Sequence, residues 1–236
     1  MHGLILAGGE GSRLAAGGIG VPKPLVEVAG RPQIVGLLET FAALGCQSLT
    51  CAVRADFPAV ARVLDGRSFG PLLTLVECRT PSSLHTLVEG LRAVPVGPVF
   101  CSMVDTVMRP RDWAEVYQRT EERLAYGADA VLIVTPFVHD ESPLYVTRDR
   151  EGLARALGSA PGGDARVSGG VYAFSPAARQ VARDALADGV QRMRGFLQRL
   201  IADGARVATV EVAQIIDLDR RSDWELANTW MASLDG

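Results

Sequence analysis

The sequence predicts an α/β fold: a mixed, mainly parallel sheet flanked by helices, with a small β subregion. Three observations predict it. Short apolar runs alternate with stretches of helical periodicity through most of the chain, as strand–helix–strand units require. The first apolar run, residues 4–6, feeds straight into a glycine-rich loop, the kind of strand-end junction at which open α/β sheets bind ligands. The chain has 236 residues, 48% of them hydrophobic, enough to bury the core of one large domain.

Each element has its own signal. Residues 4–6 are short, apolar and followed by glycine, which suits a strand buried on both faces. A helix is predicted over 32–44. Proline lies in its first turn, Ile34, Val35, Leu37, Leu38, Phe41 and Leu44 form one apolar face, and Gly45 stops it. A strand at 49–53, a short helix at 57–64 closed by Asp65-Gly66, a strand at 72–76, a helix at 83–93 and a strand at 99–103 continue the alternation. Pro110 opens a helix over 113–124, and 130–135 is a strongly apolar strand. From Pro143 the texture changes. Short strands at 144–147, 153–157 and 167–174 are separated by Asp, Gly and Pro, with an exposed loop at 158–164. This subregion is expected on the same sheet. Helices at 177–187 and 193–202, strands at 207–210 and 214–218, and a helix at 224–234 complete the chain.

Composition narrows the function. A net charge of −3 gives no basic footprint for nucleic acid. No apolar run approaches the roughly 20 residues of a membrane helix. The amino terminus enters a strand with no charged-then-apolar leader, so a cytoplasmic protein without a signal peptide is expected. Cys46, Cys51, Cys78 and Cys101 sit in apolar surroundings without a Cys-x-x-Cys pair, which predicts buried free thiols rather than a zinc site.

The chemistry concentrates near the amino end. In Leu6-Ala7-Gly8-Gly9-Glu10-Gly11-Ser12-Arg13-Leu14, glycines let backbone N–H groups approach a ligand and cradle phosphate. Arg13 adds a guanidinium that can fork onto phosphate oxygens. The loop is not a Rossmann fingerprint, because Leu14 stands where the third glycine would, and not a Walker A loop, because Gly11 is followed by Ser12-Arg13. Ten residues on, Lys23 sits between Pro22 and Pro24. Among 24 Lys plus Arg it is the sole lysine. A composition bias toward arginine explains the rest but not this position. A compact point charge differs from a planar fork, and phosphoryl chemistry often uses the former.

The two segments, Gly-Gly-x-Gly-Ser-Arg-Leu and Pro-Lys-Pro-Leu, resemble the signature of the sugar-phosphate nucleotidyltransferases (NDP-sugar pyrophosphorylases), within the MobA and sugar nucleotidyltransferase-like superfamily. The resemblance implies a Rossmann-like, GT-A-like single domain over 1–236. Its nucleotide-binding half would run to about residue 135 and a substrate or lid half over about 136–236. It implies Arg13 and Lys23 as catalytic residues, and Leu6, Ala7, Gly8, Gly9, Gly11 and Ser12 as the nucleotide cradle.

Two acidic segments are candidates for a divalent cation. Residues 99–106 form an apolar strand that ends in Asp105, where a carboxylate can hold a hard cation beside a triphosphate. Family members carry a metal-binding aspartate there, usually after glycine; here Val104 precedes it. Asp217 and Asp219 are two apart, so on a strand they share one face. In related enzymes one carboxylate here completes the Mg²⁺ site, and the sequence leaves open which. Residues 167–174 resemble the family strand Asn-Ala-Gly-Ile-Tyr, with Gly170 matching the glycine under the sugar and Ser168 in place of asparagine. The glycine pair also reads simply as a bulge. Ser82 and Ser83 fall at the base-contacting turn, where Ser83 is a nucleotide-binding candidate; hydroxyls at a helix start also read as caps. His85 and His139 have no evident partner.

The expected activity is Mg²⁺-dependent transfer of a nucleotidyl group from a nucleoside triphosphate to a sugar 1-phosphate, releasing pyrophosphate. Other acceptors remain open: a cofactor, an alditol phosphate or phosphocholine. So does a non-catalytic sugar-nucleotide-binding protein. Nucleobase, sugar and oligomeric state are not legible.

Overall fold

The computed structural model describes residues 1–139, 142–158 and 165–233. The first half runs β1 (His2–Ala7), α1 (Ser12–Ala16), β2 (Glu27–Val28), β3 (Arg31–Pro32), α2 (Gln33–Ala43), β4 (Leu49–Arg54), α3 (Pro58–Leu64), β5 (Leu73–Cys78), α4 (Ser83–Ala93) and β6 (Val99–Met103). The second runs β7 (Thr106–Val107), α5 (Pro110–Ala125), β8 (Ala130–Thr135), β9 (Tyr145–Arg148), β10 (Ala154–Gly158), β11 (Ala165–Phe174), α6 (Pro176–Ala187), α7 (Met193–Ala202), β12 (Val207–Glu211), β13 (Ile216–Asp217) and α8 (Arg221–Ala232).

Nine strands form one sheet in the order β10-β9-β11-β6-β1-β4-β5, with β8 beside β11 and β12 beside β8. The pairs β1–β4, β1–β6, β4–β5 and β8–β12 are parallel. Only β10 and β11 run against the rest, so the sheet is mainly parallel. β1 lies inside it, and its alternate side chains enter different cores. Ile5 and Ala7 pack with α2, α3 and α5, whereas Leu4 and Leu6 pack with α4, α6 and α7. The β subregion joins this sheet: β9 pairs with the first residues of β11, and β6 pairs with its last.

A third, smaller core positions the site. Leu14, Val26, Val28, Val107, Ile216, Leu218 and Ala227 bury one another at the end of the sheet. It draws together α1, the turn after β6, the segment before α8 and α8 itself. Its connectors were too short to show a period. β7 and β13 are two residues each and pair antiparallel, Thr106 opposite Asp217 and Val107 opposite Ile216.

Some expectations need correction. The strand expected over 214–218 is only Ile216–Asp217, and the last helix starts at Arg221, where Asp223 accepts the backbone N–H of Arg220. The end of that helix at 234 and residues 159–164 of the loop expected over 158–164 lie outside the described residues, and Gly158 ends β10. Cys46, Cys51 and Cys101 are buried, but Cys78, at the end of β5, is only partly so.

Candidate active site

β1 delivers the glycine loop. Gly11 takes a left-handed φ of 67° at the start of α1, a conformation that favours glycine, and a Cβ there would stand 3.2 Å from Cβ of Lys23. Lys23 itself opens a single 3₁₀ turn, Lys23–Leu25, between its two prolines, and is 7% exposed. The loop and the lysine are therefore in direct contact.

The Lys23 ammonium lies 2.5 Å from Oδ2 of Asp105 and 2.6 Å from Oδ1 of Asp219, residues 82 and 196 positions away in sequence. Arg13 takes the other oxygen of Asp219 at 2.9 Å. Burial alone pulls the Lys23 pKa down; the two carboxylates outweigh it, and the net direction is upward. Lys23 is thus a fixed cation at neutral pH, not a base.

The small ladder explains how distant carboxylates meet. Pairing of β7 with β13 continues into a bond from Leu218 N–H to the Asp105 carbonyl, 3.0 Å. Because β13 ends at Asp217, the chain turns there, with Asp219 N–H donating to the Asp217 carbonyl. Both aspartates still line one cavity. Asp219 reaches Lys23, while Asp217 stays opposite Thr106 and lines a cavity with Ser168. Val104, in place of the family's glycine, causes no strain: it is buried, its N–H donates to the Leu6 carbonyl, and among the described residues Ala29 is the sole non-glycine with positive φ.

Two cavities flank this cluster. One is lined by Leu6, Gly8, Gly9, Glu10, Arg54, Thr80 to Ser83, Thr86 and Met103, of which Met103 lies two positions before Asp105. Gly8 sits over Thr86, whose hydroxyl would lie 2.7 Å from a Cβ there. Ser83 is at the rim, but its Oγ accepts the N–H of Met193, and the Ser82 hydroxyl meets the Gln191 carbonyl and His85. Both serines tie α4 to the start of α7. Ala7, Gly11, Ser12, Lys23, Asp105 and Gly170 are not among the lining residues of either cavity.

The second cavity, of about 200 Å³, is lined by Arg13, Phe137, His139, Ser168, Gly169, Asp217, Asp219 and Asp223 among others. Ser168 is buried and donates to the Tyr172 hydroxyl at 3.5 Å. Gly169 faces this cavity. Gly170, at φ 70°, backs onto Thr106 Oγ1 and Met103 in the bulge of β11.

The donor set bears on a metal. Among the described residues no group of three His, Cys, Asp or Glu side chains could hold an ion by itself. Two carboxylate oxygens converge on one point, however, the ammonium of Lys23. That fits Mg²⁺, which is commonly held by one or two carboxylates plus substrate phosphates rather than by an all-protein cage.

The cavities also contain residues to which the sequence assigned no role: Glu10, Arg54 and Thr86 in the first, Phe137, His139 and Asp223 in the second. Asp223 carried a signal as an acid just before the helix expected from 224; the structure places it in the first turn of α8.

A buried lysine between two carboxylates, beside a glycine loop at the end of a parallel sheet, defines a phosphate-handling α/β protein. The family model for the MobA-like NTP transferase domain matches residues 3–172, and the chain belongs to that family. A mannose-1-phosphate guanyltransferase of Pichia angusta is 27% identical over 193 residues, 75% of this chain and 50% of the relative, so the match spans about half of that protein. A structure described as a Bacillus anthracis glucose-1-phosphate thymidylyltransferase in complex with sucrose superposes with a TM-score of 0.83 at 18% identity, covering 98% of this chain and 95% of the other. The inositol-1-phosphate CTP transferase of T. maritima gives 0.78 at 16% identity, over 96% and 94%. At these identities the two structures speak for the fold.

Proposed function

We propose that this protein transfers a nucleotidyl group from a nucleoside triphosphate to a sugar 1-phosphate, forming an NDP-sugar and pyrophosphate. The observation that carries the reading is the Lys23 ammonium held between Asp105 and Asp219, with Arg13 alongside, one cavity against Arg13 and Asp219 and another at the glycine loop. The sugar 1-phosphate names of several relatives support the acceptor class.

The acceptor phosphate is already an anion at neutral pH, so no general base is required. Its oxygen attacks the α-phosphorus; that P–O bond forms as the bond to the β-phosphate oxygen breaks, and pyrophosphate leaves with the electron pair. The barrier lies in bringing two anions together, a problem of charge and position. Glycine-loop amides and Arg13 hold the β- and γ-phosphates. Lys23 bridges the acceptor and α-phosphates. Asp105 with Asp219, or with Asp217 after a local shift, would hold Mg²⁺, which neutralises the triphosphate when bound. In this reading the cavity lined by Gly8 and Thr86 takes the nucleoside, and the one lined by Ser168 and Asp217 takes the sugar.

A pyrophosphate-release assay over the four common nucleoside triphosphates and a panel of sugar 1-phosphates, with Mg²⁺, tests this. Turnover with at least one pair is expected. Tight binding of an NDP-sugar with no turnover on any pair would instead indicate a binding protein.

A further inference from the structure

Asp223 lies in the first turn of α8 and is 6% exposed. Its Oδ2 accepts the backbone N–H of Asp219 at 3.1 Å and of Arg220 at 2.7 Å. Its Oδ1 lies 3.4 Å from Nε2 of His139, which comes from the segment after β8. Helix capping accounts for the first two contacts. It does not account for the third, which crosses to another element on the rim of the acceptor-side cavity. There His139 is 45% exposed at its side chain, and its ring stacks on Phe137 at 6.0 Å and 27°. Both rings line that cavity together with Arg13 and Asp219.

The consequence for Asp219 is geometric. Its two oxygens reach Lys23 and Arg13, and its backbone is held on one side by the ladder to Asp105 and on the other by Asp223. Without Asp223, the N–H of Arg220 loses this acceptor and that of Asp219 keeps the Asp217 carbonyl alone, so the turn is held less tightly and the carboxylate can drift. A shift of about 1 Å at such a position is enough to slow chemistry about a hundredfold.

We propose that Asp223 is a positioning residue for both partners of the reaction: it sets Asp219 against Lys23, and it holds His139 and the Phe137 ring as a contact for the acceptor. The inference rests on the nucleotidyl-transfer reading. It acts on the cluster through Asp219 and on the acceptor through His139.

The test compares Asp223→Ala, Asp223→Asn and His139→Gln with wild type. Steady-state kinetics use whichever pair of substrates the release assay identifies, and amide hydrogen exchange is read at residues 219 and 220. Asp223→Ala is expected to lower kcat by about 10- to 100-fold and to speed exchange at both amides. Asp223→Asn keeps an oxygen for those N–H groups and should recover most of the lost kcat. His139→Gln should raise the acceptor KM about five- to tenfold, far more than it changes the KM for the triphosphate. Paired with Asp223→Asn, it should add less than the product of the two single effects on acceptor KM. A kcat loss in Asp223→Ala that Asn does not recover, or an unchanged acceptor KM in His139→Gln, overturns the proposal. If wild type releases no pyrophosphate, the functional reading fails. The placement of Asp219 is then judged by exchange alone, and unchanged protection in Asp223→Ala overturns it.

Discussion

At the scale of single residues, Lys23 is the point where sequence and structure agree most informatively. It is the sole lysine in the chain, and it is enclosed by two carboxylates at 2.5 and 2.6 Å. A planar guanidinium cannot occupy that space without spreading the aspartates. Lys23→Arg is therefore expected to keep its charge and still lose at least about tenfold in kcat, as steady-state assay will show. Because the pKa of Lys23 is raised, its protonated form is stabilising below the ordinary value of 10.5, and that contribution disappears only as pH rises through the higher folded value. The pH–rate profile should accordingly show no loss from this group between pH 7 and 10. Gly11→Ala carries strain of about 1–2 kcal/mol at its positive φ and pushes on Lys23 Cβ. A fall in kcat of about tenfold or more is expected, with smaller change in melting temperature. The choice between Asp217 and Asp219 was not legible in sequence. β13 ends at Asp217, a matter of which amide pairs with which, and Asp219 beyond it reaches the lysine.

At the scale of elements, legibility followed length and caps. Ser83–Ala93, Val99–Met103, Ala130–Thr135 and Met193–Ala202 have the bounds their periodicity predicts. The two-residue β7 and β13 and the five-residue α1 have no period to read, yet they bring the carboxylates to Lys23. The site residues on or beside these short elements, Arg13, Lys23, Asp105, Asp217 and Asp219, were visible as motifs, whereas the short pairings that bring them together were not. Arg179 on α6 is a different kind of omission. Its guanidinium is buried and donates to the carbonyls of Leu91, Val94, Pro95 and Gly97, capping the end of α4. Burial lowers its pKa, but four carbonyls at a helix carboxyl end offset that cost. Arg179→Met strands those carbonyls and should cost about 3 kcal/mol, roughly 6–12 °C in melting temperature for a chain of this size, without a matching loss of kcat.

At the scale of the whole molecule, a predicted parallel α/β architecture emerged from alternating patterns because strands buried on both faces are apolar throughout. The reversal of β10 and β11 carries no such pattern, since strand direction is set by connections rather than by residue type. Alkaline stability is a property of this whole core. Burial raises the pKa of Cys46 to about 11, and burial also drives those of Cys51, Cys101 and Tyr172 upward. Above the ordinary thiol value of 9.0 the unfolded chain releases protons that the folded chain retains, so folding stability falls as pH rises. Melting temperature should drop between pH 8 and 11. At pH 8 a thiol reagent should reach Cys78 well before the three buried cysteines, as mass spectrometry of the labelled protein can show.

In the proposed function, one ammonium and two carboxylates drawn from distant parts of the chain form a single nucleotidyl-transfer centre. The most direct measurement is the pyrophosphate-release rate of Lys23→Ala beside wild type, with Mg²⁺, both checked for folding by circular dichroism. The account predicts a loss of about 100- to 1000-fold in a folded variant. A folded variant within about threefold of wild type would contradict it.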